Sequence, residues 1–229
     1  MPGAIPQIDN GKRPDDPLLA YVHLLPLPSD TPYGNLALKS MKIVMRVDWL
    51  NRRIGEVYAS YARSTSVDPL VAAPLDQQMI AEEVVYWIRK TADELIGLWD
   101  FMLQAVDAGV YPTGLRVDCI GSALANHNPK ITGHLAGFEV SLGVLNEVSN
   151  AYKHSFINSD ITFFGRDEPV VVALAVKYNR LDRSPQFHAV TLSDVVAQFS
   201  EFYKRALESI GELSAQIKAK NGATNRGPA

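Results

Sequence analysis

Apolar residues recur at spacings of three and four along three long stretches of the chain, a pattern typical of amphipathic α-helices. The first stretch runs from about residue 39 to 63, and the second, from 75 to 108, carries the widest apolar stripe. Gly109 followed by Pro112 ends the second helix, because glycine suits a helix C-terminus and proline cannot continue a helix. The third stretch runs from 192 to about 218. The pattern therefore predicts three long helices.

Two further helices are predicted between the second and third long ones. Residues 132–156 place Phe138, Leu142, Leu145 and Tyr152 on one helical face. Residues 115–125 are compatible with a short helix, and the turn-like sequence His-Asn-Pro follows them.

The pattern changes from helical to strand-like after residue 157. β-Branched and aromatic residues are enriched at 161–164, 170–178 and 187–190, and turn-like sequences separate these runs. The run Val-Val-Val-Ala-Leu-Ala-Val is apolar throughout, which predicts a strand covered on both faces. Thr191-Leu-Ser-Asp then places a hydroxyl at a helix cap and a carboxylate three residues later.

These elements predict a mainly α protein: a helical bundle of four to five helices with a small antiparallel β-sheet of two to three strands before the C-terminal helix. Half of the 14 prolines precede residue 39, which predicts an extended arm rather than a helix. The polar C-terminal tail is predicted to be disordered. We predict one domain over residues 1–229, comprising the arm (1–38), the helical core (39–157), the sheet (158–191), the C-terminal helix (192–219) and the tail (220–229).

Composition narrows the class of protein. The 229 residues are 47% hydrophobic and 21% charged, as in ordinary globular proteins, and the net charge of −3 is unlike that of a strong non-specific nucleic-acid binder. The single cysteine, Cys119, excludes an intrachain disulfide and is predicted to be a small buried residue. There is no apolar run of membrane-spanning length and no signal-peptide pattern, so a cytoplasmic protein is expected.

Common motifs for phosphate, dinucleotide and hydrolase sites are absent from the sequence. No two of the five histidines stand four residues apart, the spacing that directs two imidazoles at one metal ion. We therefore predict neither a metal site nor a cofactor.

One flank of the predicted helix 132–156 concentrates side chains with acid–base and hydrogen-bonding capacity. Its members lie away from the apolar face: Asn146, Glu147, Asn150, Lys153 and His154. A cationic group there also suits a helix C-terminus through the helix dipole. Arg89, in the preceding long helix, either pairs with Asp93 four residues on or points toward this flank and holds an anion there.

A long helix containing W-I-R-K-T-A-D-E-L-I, paired with a later helix ending S-N-A-Y-K-H-S, resembles the HEPN superfamily. The resemblance covers about residues 76–157. It implies a small helical bundle, often dimeric, and many family members are RNases of toxin–antitoxin and phage-defence systems. His154 matches the motif histidine and Asn150 the polar residue, whereas Ser149 stands where the family has arginine.

The resemblance implies metal-independent RNA cleavage in which His154 is the general acid or base and Asn150 orients a phosphate or the imidazole. Serine cannot supply the positive charge that arginine gives to a phosphate. The leading interpretation is therefore a non-catalytic HEPN-like module that binds a nucleotide, RNA or a protein partner.

The same interpretation names Lys153, Arg89, Glu147 and Asn146 as ligand-binding candidates. Two alternatives stay open. One is an active RNase in which Lys153 or Arg89 replaces the missing arginine. The other is a structural or partner-binding helical protein without a ligand, in which Asn150 and His154 serve packing and capping. The apolar helices and arm further predict a homodimer.

Overall fold

The computed structural model of the chain describes residues 4–10, 25, 27–66, 74–154, 167–176, 180, 182 and 184–224, with the backbone alone at 64–66, 74–76 and 221–224. Within these ranges the chain forms six helices and two strands. They are α1 (Leu36–Ser66), α2 (Pro74–Ala108), α3 (Ile120–Leu124), α4 (Pro129–Leu135), α5 (Glu139–His154), β1 (Val170–Ala175), β2 (Gln186–Thr191) and α6 (Leu192–Thr224). The predicted mainly α class, with a small antiparallel sheet before the C-terminal helix, is confirmed.

The three long helices match the sequence pattern closely, and α1 and α6 extend beyond it by three or more residues. α1 begins at Leu36, inside the predicted arm, because the Asn35 side chain accepts a hydrogen bond from Leu38 N (3.2 Å). α6 continues to Thr224, although its end was predicted near residue 218 and a disordered tail from 220. Lys220 Nζ donates to the carbonyl of Val106 (2.6 Å), which holds the last turns in place. Residues 225–229 lie outside the described residues.

The predicted helix 132–156 is in fact two helices, α4 and α5. Gly137 separates them, because its φ of +89° is a backbone conformation that residues with a side chain rarely adopt. Its N–H donates a hydrogen bond to Glu139 Oε2 (2.8 Å). The helix predicted within 115–125 begins only at Ile120. Cys119 is half-buried rather than buried, and its sulfur caps α3 by accepting a hydrogen bond from Ser122 N (3.4 Å).

The sheet consists of β1 paired antiparallel with β2, from Val170 opposite Thr191 to Ala175 opposite Gln186. Residues 171–173 are all buried, so both faces of β1 are covered, as predicted. Thr191 then caps α6, since its hydroxyl accepts from Asp194 N (3.2 Å), which confirms the predicted capping hydroxyl. The strand predicted at 161–164 lies outside the described residues.

The chain divides into two compact units. The first unit consists of Met1–Ile8, Trp49–Lys90 and Ala136–Ser200, and the second of Asp9–Asp48, Thr91–Leu135 and Glu201–Ala229. Each long helix contributes residues to both, and the single domain predicted from the sequence stays a prediction. No helix in the described part of the chain is long and apolar enough to cross a membrane.

The first unit packs α5 against β1. The Tyr152 hydroxyl of α5 donates to the carbonyl of Val172 in β1 (3.0 Å). Ile8, from the predicted arm, is buried. Its backbone N–H donates to Asn51 Oδ1 of α1 (2.8 Å), and its carbonyl accepts from Asn51 Nδ2 (2.9 Å). This part of the arm is therefore attached to α1.

The second unit is organised around carboxylates buried in α2. Asp100 is fully buried and accepts hydrogen bonds from Arg116 N (2.8 Å), Arg116 Nε (2.9 Å) and Gln104 Nε2 (2.8 Å). Asp93, two turns earlier, accepts from Ile120 N at the start of α3 (2.9 Å). Asp93 and Asp100 thus accept hydrogen bonds from backbone N–H groups between α2 and the start of α3, and in this way they fix the connection between the two helices.

We expect Asp100→Ala to lower the free energy of unfolding by about 3 kcal/mol or more, because it leaves the buried donors of the connection unsatisfied. Chemical denaturation at pH 7 measures the change. Asp107→Ala is the matched control on the same helix: its ion pair with Lys130 (2.7 Å) is exposed, so it should cost at most about 1 kcal/mol. Equal losses in the two variants would contradict the role of Asp100.

The second unit also contains a buried histidine. The His134 ring stacks on Trp99, with ring centroids 3.9 Å apart and planes 6° from parallel. Burial, with a smaller effect of the positive charge of Arg205, lowers the pKa of His134 from 6.5 to about 4. Between these values the unfolded chain binds a proton that the folded chain does not, so stability falls as the pH decreases from 6.5 toward 4.

The wild type should therefore lose about 2 kcal/mol more stability than His134→Phe when the pH is lowered from 7 to 5. Phenylalanine keeps an aromatic ring against Trp99 but does not titrate. Denaturant unfolding of both proteins at pH 5, 6 and 7 measures the difference. A parallel pH dependence in the two proteins would show that His134 does not titrate in this way.

Candidate functional site

α5 separates a buried face from a polar flank. Its buried residues are Leu142, Leu145, Val148, Ser149 and Ala151. The polar flank consists of half-buried Asn146 and Asn150 and exposed Glu147, Lys153 and His154. Because an α-helix turns once every 3.6 residues, the two sets fall on opposite sides, which is the division expected from the sequence.

Three residues of the polar flank contact side chains close to them. Asn150 Nδ2 donates a long hydrogen bond to Asn146 Oδ1 one turn earlier (3.4 Å). Lys153 Nζ lies 4.3 Å from the ring centroid of Tyr86 in α2, a cation–π contact. Arg89 is half-buried and follows Tyr86 by one helical turn. The structure thus places Lys153 beside the helix that carries Arg89.

The other two members of the polar flank point to different surroundings. Glu147 Oε2 lies 3.2 Å from Nε2 of His188, a buried residue of β2, although the two groups are not aligned as a hydrogen bond. They form an ion pair when the imidazole is protonated. His154 is exposed in the last turn of α5. No sequence pattern connects Glu147 with His188, because 40 residues lie between them along the chain.

Ser149, which stands where the resemblance described above would place an arginine, faces the interior of the first unit. It is 1% exposed, and its hydroxyl has no hydrogen-bond partner among the described residues. A side chain at this position is buried, whereas the residues of the polar flank are half-buried or exposed. Ser149 therefore differs from a phosphate-binding arginine in its location as well as in its charge.

The described residues contain no group of three or more His, Cys, Asp or Glu side chains that could hold a metal ion. The donors at the polar flank are amides, an ammonium and an imidazole, with Glu147 as the one carboxylate. Such a set offers hydrogen bonds and proton transfer.

A cavity of about 140 Å³ lies on the opposite side of α5, within the first unit. It is partly open to solvent, and none of the predicted site residues lines it. Its apolar walls include Val85 of α2, Leu145 and Val148 of α5, Val171 of β1, Val190 of β2 and Phe199 of α6. Ser141, Asp194 and Gln198 are the polar residues of its rim.

No family model matches this chain, and no curated protein or solved structure matches it either. The functional assignment therefore rests on the geometry of the two sides of α5.

We expect the purified protein to leave a fluorescent single-stranded RNA intact in EDTA, because Ser149 brings no positive charge to the polar flank. His154→Ala is the matched variant, and both proteins should give the same signal over hours. Metal-independent cleavage that disappears in His154→Ala would contradict this expectation and assign His154 as a general acid or base. Cleavage of equal rate in both preparations would exclude His154 as the general acid or base.

Proposed function

We propose that this chain is a non-catalytic binding protein, HEPN-like in its helical part, that receives the compact apolar body of a small ligand in the cavity beside α5. The observation that carries the proposal is the composition of the cavity wall. Valine, leucine and phenylalanine side chains from α2, α5, β1, β2 and α6 converge on one recess that is partly open to solvent. Ligand pockets typically combine such apolar walls with a few polar groups.

The volume of the cavity fits a ring-sized group. Protein interiors contain few voids larger than a water molecule, and an apolar cavity of about 150 Å³ in another protein binds benzene. The cavity here has about the same volume, 140 Å³, and a similarly apolar lining. Apolar surface exposed to water costs roughly 25 cal/mol per Å², so an apolar group that covers these walls is stabilised.

The walls of the cavity stand on regular secondary structure. β1 and β2 pair over six residue positions, from Val170 with Thr191 to Ala175 with Gln186. The bond from Tyr152 to the Val172 carbonyl fixes α5 beside this sheet. A site built on helices and strands is held more precisely than one built on loops, and a preformed site binds without an ordering cost.

The polar flank of α5 supports the HEPN-like part of the proposal and is not the proposed ligand site. The HEPN-like relationship rests on Asn150 and His154 at their motif positions, and the buried Ser149 favours its non-catalytic form. The apolar cavity supports a small apolar ligand better than the predicted nucleotide or RNA, whose phosphates need positive charge. A protein partner and a homodimer stay predictions, as does the active RNase.

We expect 2-phenylethanol to bind the wild type with a dissociation constant on the order of 1 mM, a typical affinity for a fragment that buries one ring. Titration followed by NMR of the valine and leucine methyl groups measures it. Val144→Phe should weaken binding at least tenfold, because Val144 is half-buried in the cavity wall and a phenyl group there would occupy the recess.

Val140→Phe is the matched control, one turn earlier on α5, since Val140 is 82% exposed and lies outside the lining. It should bind 2-phenylethanol within twofold of the wild type. Val195→Phe, in the α6 wall, repeats the test should Val144→Phe fail to fold. The proposal is wrong if the wild type shows no saturable shifts, or if both wall variants fold and bind as the wild type does.

A further inference from the structure

The rim of the cavity carries a negative charge and, among the described lining residues, no positive one. Asp194 is exposed and lines the recess, whereas none of the lining residues that the structure describes is Lys, Arg or His. Asp194 forms no ion pair with any residue in the described part of the chain. Its carboxylate is therefore available to a ligand in the cavity.

The start of α6 fixes the position of this carboxylate. Asp194 is the third residue of the helix, and its N–H donates to the capping hydroxyl of Thr191 (3.2 Å). The first turn of a helix is a favourable position for a negative charge, because the helix dipole is positive at its N-terminus.

A neighbouring tyrosine is subject to the same negative charge. The Tyr58 hydroxyl donates to Glu168 Oε2 (2.9 Å). Burial raises the pKa of Tyr58. The hydrogen bond to Glu168 and the negative charge of Glu168 raise this pKa further, and the charge of Asp194 adds a smaller increase. The surroundings of Tyr58 thus contain two carboxylates, those of Glu168 and Asp194.

The remaining polar groups of the rim are neutral. The Ser141 hydroxyl donates to the Phe138 carbonyl (3.0 Å), which leaves its oxygen as an acceptor for a ligand. Gln198 is exposed and offers an amide that both donates and accepts. Carboxylate, hydroxyl oxygen and amide oxygen together make a rim that is rich in acceptors, which suits a ligand group with several N–H donors.

We infer that the ligand of this cavity is an amine: a compact apolar body seats between α5 and the sheet while its ammonium group contacts the Asp194 carboxylate. The inference rests on the proposed function, because it assumes that the cavity receives the apolar body. An ammonium group supplies three donors and the opposite charge.

The charge preference should be moderate in size. Asp194 is exposed, and ion pairs near the surface are weakened by solvent and salt. We expect an ammonium to bind about three- to tenfold more tightly than a neutral hydroxyl on the same body at low ionic strength. A carboxylate on that body should bind more weakly than the hydroxyl, and 0.5 M NaCl should reduce the difference between amine and alcohol.

Three probes with the same phenyl body test the inference: 2-phenylethylamine, 2-phenylethanol and phenylacetate. Methyl NMR titrations at pH 7 with the full chain give a dissociation constant for each. Asp194→Asn should bring the amine to the affinity of the alcohol and leave the alcohol within twofold of its wild-type value. Glu201→Gln is the control, an exposed carboxylate of α6 that lies outside the lining, and it should change neither.

Each outcome is decisive. The order amine, alcohol, carboxylate, lost in Asp194→Asn and kept in Glu201→Gln, supports the inference. Equal affinities for the three probes, or tighter binding of the carboxylate, overturn it while the proposed function stands. An amine preference that survives in Asp194→Asn also overturns it. If no probe binds, the proposed function fails and the inference fails with it.

Discussion

The contact between α5 and β1 is the constraint on which the candidate site depends. The Tyr152 hydroxyl reaches the carbonyl of Val172 across this contact, and burial raises the pKa of Tyr152, so it stays a hydrogen-bond donor at neutral pH. The contact fixes which side of α5 faces the sheet. One side of the helix then lines an apolar recess with β1, β2, α2 and α6, and the other side presents the polar flank to solvent.

Most of the fold follows from the sequence because its strongest signals are local. The 3.6-residue period gave α1, α2 and α6, the Thr191 hydroxyl marked the start of α6, and Gly109, with φ +73°, closes α2 as expected. The break at Gly137 was missed because apolar residues continue across it at helical spacing. A glycine inside a helical pattern does not show whether its φ will be positive, since the surrounding packing decides that.

The candidate site was predictable in part. The polar flank of α5 lies where the pattern placed it, because a helix that buries one face must expose the other. The cavity was not predictable. Leu142, Leu145 and Phe199 belong to apolar stripes, and such a stripe has the same sequence pattern whether it packs against another side chain or borders a recess. Whether opposing walls meet depends on side chains brought together from β1, β2 and α6.

We propose that this protein binds its ligand in the apolar recess rather than at the polar flank of the same helix. Intermolecular nuclear Overhauser effects between the ring protons of 2-phenylethylamine and the protein test it most directly. We expect effects to the methyl groups of Val148 and Val171 and to the Phe199 ring, which line the recess. Effects confined to Asn150, Lys153 or Tyr86, or no effects at saturating ligand, would contradict it.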